Sequence, residues 1–99
     1  MYKQIVWSPL AVSDVEKTLD YLQKEWNDQV SLTFLDEIDK LLKQISFNPK
    51  QFPQVNSKMK VRKCVLTKQN TLFYRENKGC VELLRFFDTR QNPKKLKYK

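Results

Sequence analysis

The chain has 99 residues, 40% hydrophobic and 12% aromatic, with one glycine, no histidine and a formal net charge of +8. That length suits one domain, residues 1–99, able to bury roughly two-thirds of its unfolded surface, and a single glycine argues against a turn-rich all-β fold. No apolar run reaches the ~20 residues of a membrane span and no signal-peptide core follows Met1, so a cytoplasmic protein with no membrane partner is expected.

Residues 2–7 read as a short strand carrying Ile5, Val6 and Trp7. Ser8-Pro9 matches a helix N-cap with proline at the first helical position. Val12, Val15, Leu19, Leu22 and Trp26 then recur in steps of three and four, which makes one helical face. Asn27-Asp28 ends this helix and caps the next, over about residues 29–46. Its stripe is Val30, Phe34, Ile38, Leu41 and Ile45, widened by Leu35 and Leu42. Two such helices joined by so short a break form an antiparallel hairpin. Trp26, Phe34 and Phe47 are expected in the core.

Asn48-Pro49 stops the second helix, and residues 50–59 read as a loop anchored by Phe52-Pro53. Three strands follow, over residues 60–67, 71–76 and 81–88, with turns at 68–70 and 77–79. The last holds Val81, Leu83, Leu84, Phe86 and Phe87, too apolar for a solvated edge, so a central strand is expected. It gives way to Asp88, Thr89, Arg90, Gln91 and Asn92 before Pro93, placing Arg90 at the exit of a rigid strand and Arg85 within it. Residues 91–99 form a basic, partly mobile tail. The order is β-α-α-β-β-β, an α+β fold with the helical hairpin on one face of a twisted, mainly antiparallel sheet.

Period 2 puts Arg62 and Cys64 on one side of their strand, opposite Val61, Lys63 and Val65. Thr71, Phe73 and Arg75 share a side. Arg90 falls in phase with Glu82, Leu84, Phe86 and Asp88, and Arg85 out of phase; a bulge would change that parity. Cys64 and Cys80 lack the number and spacing of a disulfide framework or a zinc site, so no metal or cofactor is expected.

Charge is unevenly divided. Residues 1–47 carry five lysines against eight acids, and residues 48–99 carry fourteen Lys/Arg against three, a net of −3 against +11. The basic half is suited to a polyanion. The absence of histidine excludes an RNA-cleaving His pair.

The element order, Trp7-Ser8-Pro9, Tyr21-Leu22 with Trp26, Asn48-Pro49, Leu72-Phe73-Tyr74-Arg75 and the stretch from Phe87 to Pro93 together resemble the RelE/ParE superfamily of bacterial toxins. The resemblance implies the toxin of a type II toxin–antitoxin, or plasmid-stabilisation, system that inhibits growth and is neutralised by a cognate antitoxin. A RelE-like member would cleave mRNA on the ribosome without metal. The resemblance then casts Arg62, Arg90 and Tyr98 as catalytic and Lys60, Lys63, Arg75 and Arg85 as binding residues. Cys64 and Thr71 depart from that pattern where cations are expected, and Tyr98 lies late in the chain. A ParE-like member would poison DNA gyrase with no catalytic set of its own. The long hairpin and the Phe52-Pro53 loop favour this second branch. A rival of another class is a non-catalytic nucleic-acid-binding module whose sheet aromatics stack bases.

Overall fold

A computed structural model, which describes residues 2–98, has the expected α+β architecture. Strand β1 (Gln4–Trp7) leads into α1 (Pro9–Glu25) and α2 (Asp28–Phe47), followed by β2 (Gln54–Asn56), β3 (Val61–Thr67), β4 (Asn70–Asn77) and β5 (Cys80–Asp88). The sheet order is β1-β5-β4-β3-β2, with β1 parallel to β5 and all other neighbours antiparallel. The strand β2 lies within the stretch expected to be loop. Three residues are too few to show a period, and it joins the sheet by pairing of Gln54 with Arg62 and Asn56 with Val61.

Each helix begins where its capping residue dictates. The Ser8 hydroxyl accepts from Ala11 N (3.0 Å) and donates to the Leu84 carbonyl (2.9 Å), while Ser8 N–H donates to the Leu83 carbonyl (3.0 Å). One residue thus starts α1 and ties it to β5. Asn27 Oδ1 accepts from Val30 N at 3.0 Å and starts α2.

The main core joins Ala11, Val15, Phe34, Ile38 and Ile45 of the hairpin to Cys64, Leu72, Tyr74, Val81, Leu83 and Phe86 of the sheet. The buried face of α1 is rotated from the expected one. Ala11 is buried in place of Val12, because the Ser8 bonds draw the first turn onto β5. Trp26 caps the hairpin tip and is 64% exposed; Phe47 is 61% exposed and packs against Tyr2 at 5.5 Å. The core assignment of those two is therefore corrected, and that of Phe34 stands. Tyr74 is fully buried with its hydroxyl donating to the Pro49 carbonyl at 2.8 Å. Burial pushes the Cys64 thiol up to about 12.

A bulge in β5 corrects the expected facing of that strand. Tyr74 pairs with Leu83 and Phe73 with Arg85, so Leu84 is the extra residue. Leu83 and Phe86 consequently face the helices, while Leu84 and Phe87 join Val61 and Phe73 on the other side. That second face is covered by Met59, Leu96 and Tyr98. The tail expected to be partly mobile is thus docked: it turns at Pro93–Lys95, and Tyr98 packs on Phe73 at 5.9 Å. The β4–β5 turn has Lys78 (φ 52°) and Gly79 (φ 81°) both left-handed, as a two-residue hairpin of matching twist requires.

Candidate functional site

The residues singled out from the sequence lie at opposite ends of the sheet. Asp88 pairs with Asn70 at one end of β4, and Arg62 pairs with Tyr74 near the other. Roughly 17 Å of strand separates Asn70 from Arg75.

At the Asn70 end, a groove of about 310 Å³ opens between the hairpin and the β3–β4 turn. Tyr21, Leu22, Val30 and Phe34 supply apolar wall, and Arg90 stands at its rim. Arg90 donates Nε and Nη2 to the two carboxylate oxygens of Asp88 (3.0 and 2.8 Å), and its guanidinium lies 5.2 Å from the Tyr21 ring centroid. The Asp88 hydrogen bonds, and then Tyr21, hold Arg90 protonated beyond its ordinary range. In return Arg90 lowers the Asp88 carboxyl below its usual range. Asn70, 7% exposed, lines the same groove, and its Oδ1 has no hydrogen-bond partner among the described residues. An apolar trough with a fixed cation and an unused buried acceptor suits a peptide more than a small reactant.

At the other end stands a basic cluster. Lys50, Lys60, Arg62 and Lys78 line one cavity of about 480 Å³, and Lys58, Lys60, Arg75 and Lys78 an adjoining one of about 710 Å³. Arg75 is paired with Glu82 at 3.3 Å, a carboxylate that also accepts from Asn77 at 2.7 Å. Lys63 is exposed and lines neither of these cavities.

Arg85 is used differently from the expectation of a binding cation. Its Nε and Nη2 bond both carboxylate oxygens of Asp14 (2.7 and 3.0 Å), and the Asp14 hydrogen bond raises its pKa further. Nη1 donates to the Lys97 carbonyl at 2.8 Å, which clasps the tail. Tyr98 is half-buried against Phe73 and its pKa is raised by burial. Arg62, Arg90 and Tyr98 therefore occupy three separate places. Among the described residues no cluster of three or more His, Cys, Asp or Glu side chains suits a metal ion.

Sequence reasoning missed Tyr21 and Asp88 as partners of Arg90, and Lys50, Lys58 and Lys78 as members of the basic end. The spacing Asp88-Thr89-Arg90 held a signal for the first, since an Asp side chain readily accepts from the backbone two residues on, as Asp88 Oδ1 does from Arg90 N at 2.9 Å.

The chain matches the family described as ParE toxin of type II toxin–antitoxin system, parDE, over residues 5–93. It belongs to that family, and is the toxin component of a type II toxin–antitoxin system. Membership implies an antitoxin partner. Among solved structures, it is similar to one titled chromosomal ParDE TA system from P. aeruginosa. There the TM-score is 0.75 and identity 16%, covering 88% of this chain and 96% of that one. It is also similar to the YoeB dimer from Staphylococcus aureus, with TM-score 0.62 and identity 18%, covering 88% and 97%. At such identities the likeness is one of fold. No curated protein matches the chain in sequence.

Proposed function

We propose that this single-domain toxin inhibits growth in the cytoplasm by acting on DNA gyrase, without catalysis of its own. The cognate antitoxin would neutralise it by laying an apolar segment in the groove beside the hairpin. The observation that carries the reading is the dispersal of Arg62, Arg90 and Tyr98, the groups an RNA-cleaving site would need to bring around one phosphate. Support for the antitoxin's place comes from the groove itself, with Phe34 and Leu22 as floor and the unused Asn70 Oδ1 as acceptor for a backbone N–H.

A second reading, ribosome-dependent mRNA cleavage, draws on Arg62 standing among Lys50, Lys60 and Lys78. Induced expression separates the two. Trapped double-strand breaks and inhibited supercoiling, with intact messages, support gyrase; new 5′ ends inside translated codons overturn it. Arg90→Ala is expected to abolish growth arrest while the chain still folds, because it removes the cation at the groove rim. Full arrest by that variant would place the toxic surface elsewhere.

A further inference from the structure

Of the two halves of this toxin, the one that holds the helical hairpin has the opposite sign of charge. Residues 1–47 carry a net of −3 and residues 48–99 a net of +11. An enzyme that handles duplex DNA presents a basic working surface. Docking there through the +11 half would set like charges against each other, which opposes association. The hairpin half carries the matching sign.

The tip of the hairpin gathers that sign around an unused aromatic. Residues 20–28 hold three acids, Asp20, Glu25 and Asp28, against Lys24. Among the described residues no lysine or arginine lies within ion-pair distance of these acids. Trp26, between α1 and α2, is 64% exposed, and among the described residues no aromatic ring or guanidinium stacks on it. Its backbone is nevertheless fixed from both sides. Trp26 N–H donates to the Leu22 carbonyl at 2.9 Å. Asn27 accepts from Val30 N through Oδ1 (3.0 Å) and from Ser31 N through its carbonyl (3.3 Å). A tryptophan held in water on an ordered backbone has little left to lose on binding, and residues of this type supply most of the affinity of protein interfaces. Tyr21, 40% exposed with Arg90 over its ring, adds a second aromatic to this end of α1.

We propose, resting on gyrase as the target, that the hairpin tip is the surface that docks on the enzyme, with Trp26 entering an apolar pocket whose rim is basic. Asp20, Glu25 and Asp28 face that rim and set orientation and association rate more than affinity. Leu22, Gln29 and Val30, on either side of the tip, line the groove, so a segment seated in the groove crowds the same end of the molecule.

The test measures binding of the full chain to purified DNA gyrase by surface plasmon resonance, and inhibition of supercoiling, for the parent and its variants. Trp26→Ala removes the anchor from an exposed position, so the unfolding midpoint should match the parent while binding weakens about 30-fold or more. E25Q/D28N removes two charges with side chains of the same shape. It should slow association at low salt and flatten the salt dependence, with dissociation little changed. The control Val65→Ala trims a side chain 68% exposed on β3 and should bind as the parent does. Weaker binding by Trp26→Ala at an unchanged midpoint supports the surface, as does slower association by E25Q/D28N. Parent-like binding and inhibition by Trp26→Ala, faster association by E25Q/D28N, or an equal loss in Val65→Ala overturns it while gyrase stands as the target. A parent chain that neither binds gyrase nor inhibits supercoiling overturns the gyrase reading, and the docking surface with it.

Discussion

Asp14 illustrates how one side chain fixes several parts of this toxin. It accepts from Arg85 Nε, Arg85 Nη2 and the Phe86 N–H (2.7, 3.0 and 3.0 Å), so a carboxylate on α1 stabilises the strand immediately after the β5 bulge. The pair is largely withdrawn from water, with side chains 13% and 12% exposed. Removing one charge leaves the other uncompensated, so Asp14→Asn is expected to cost about 3 kcal/mol in urea unfolding. Adding Arg85→Gln should recover part of that loss, since the two residues are in contact. A second acid, Asp88, sits half-buried at the groove rim beside an exposed arginine. Its folded pKa is depressed by Arg90, so the stability it contributes is present above the unfolded carboxylate value of about 3.9. That contribution is lost as pH falls through the lower folded value. The stability difference between the parent and Arg90→Ala should therefore be constant from neutral pH to about 5 and vanish under stronger acid. A difference that persists at the lowest pH would count against the Asp88 pair as its origin.

Among the elements, Ser8 has the widest reach, because it caps α1 and holds two consecutive carbonyls of β5. Ser8→Ala should lower stability by about 1–2 kcal/mol, from the lost cap and the orphaned Leu84 carbonyl. Thermal unfolding checks this, and a change under a few tenths would mean water replaces both bonds. Both helices were legible from their spacing of apolar residues and from Ser8 and Asn27, since helical period and capping are local properties. The antiparallel meander was legible for the same reason. The bulge at Leu84 was not. Whether a strand carries an extra residue depends on what Ser8 and Asp14 bond across the fold, and no window of the sequence contains both partners. Nor was β2, which exists only because β3 offers it an edge.

At the scale of the molecule, the sequence showed the charge asymmetry and not its division. The +11 half was read as suited, as a whole, to a polyanion. Instead Arg85 is spent inside, Arg90 faces the groove, and the basic end gathers Lys50, Lys58, Lys60, Arg62 and Lys78. The open face is apolar and closed by the tail, which the lysine-rich sequence made look solvated. Leu96 and Tyr98 reveal the role only once Phe73 and Phe87 are known to face them. Deleting residues 92–99 should uncover that face and cost ~2 kcal/mol, seen as a lower unfolding midpoint and increased dye binding to apolar surface. An unchanged midpoint would show that the tail adds nothing to the fold.

The parallel seam between β1 and β5 has a consequence for synthesis. Gln4 is made first and waits for Cys80, and Ile5 for Val81, which at ordinary translation rates is a delay on the order of ten seconds. Until then α1 has no β5 to rest on, and Asp88 and Arg90 do not yet exist to close the groove rim. A chain that stops before β5 therefore lacks both the parallel seam and the groove rim. Premature termination before the last strand should yield an unfolded product fit for proteases.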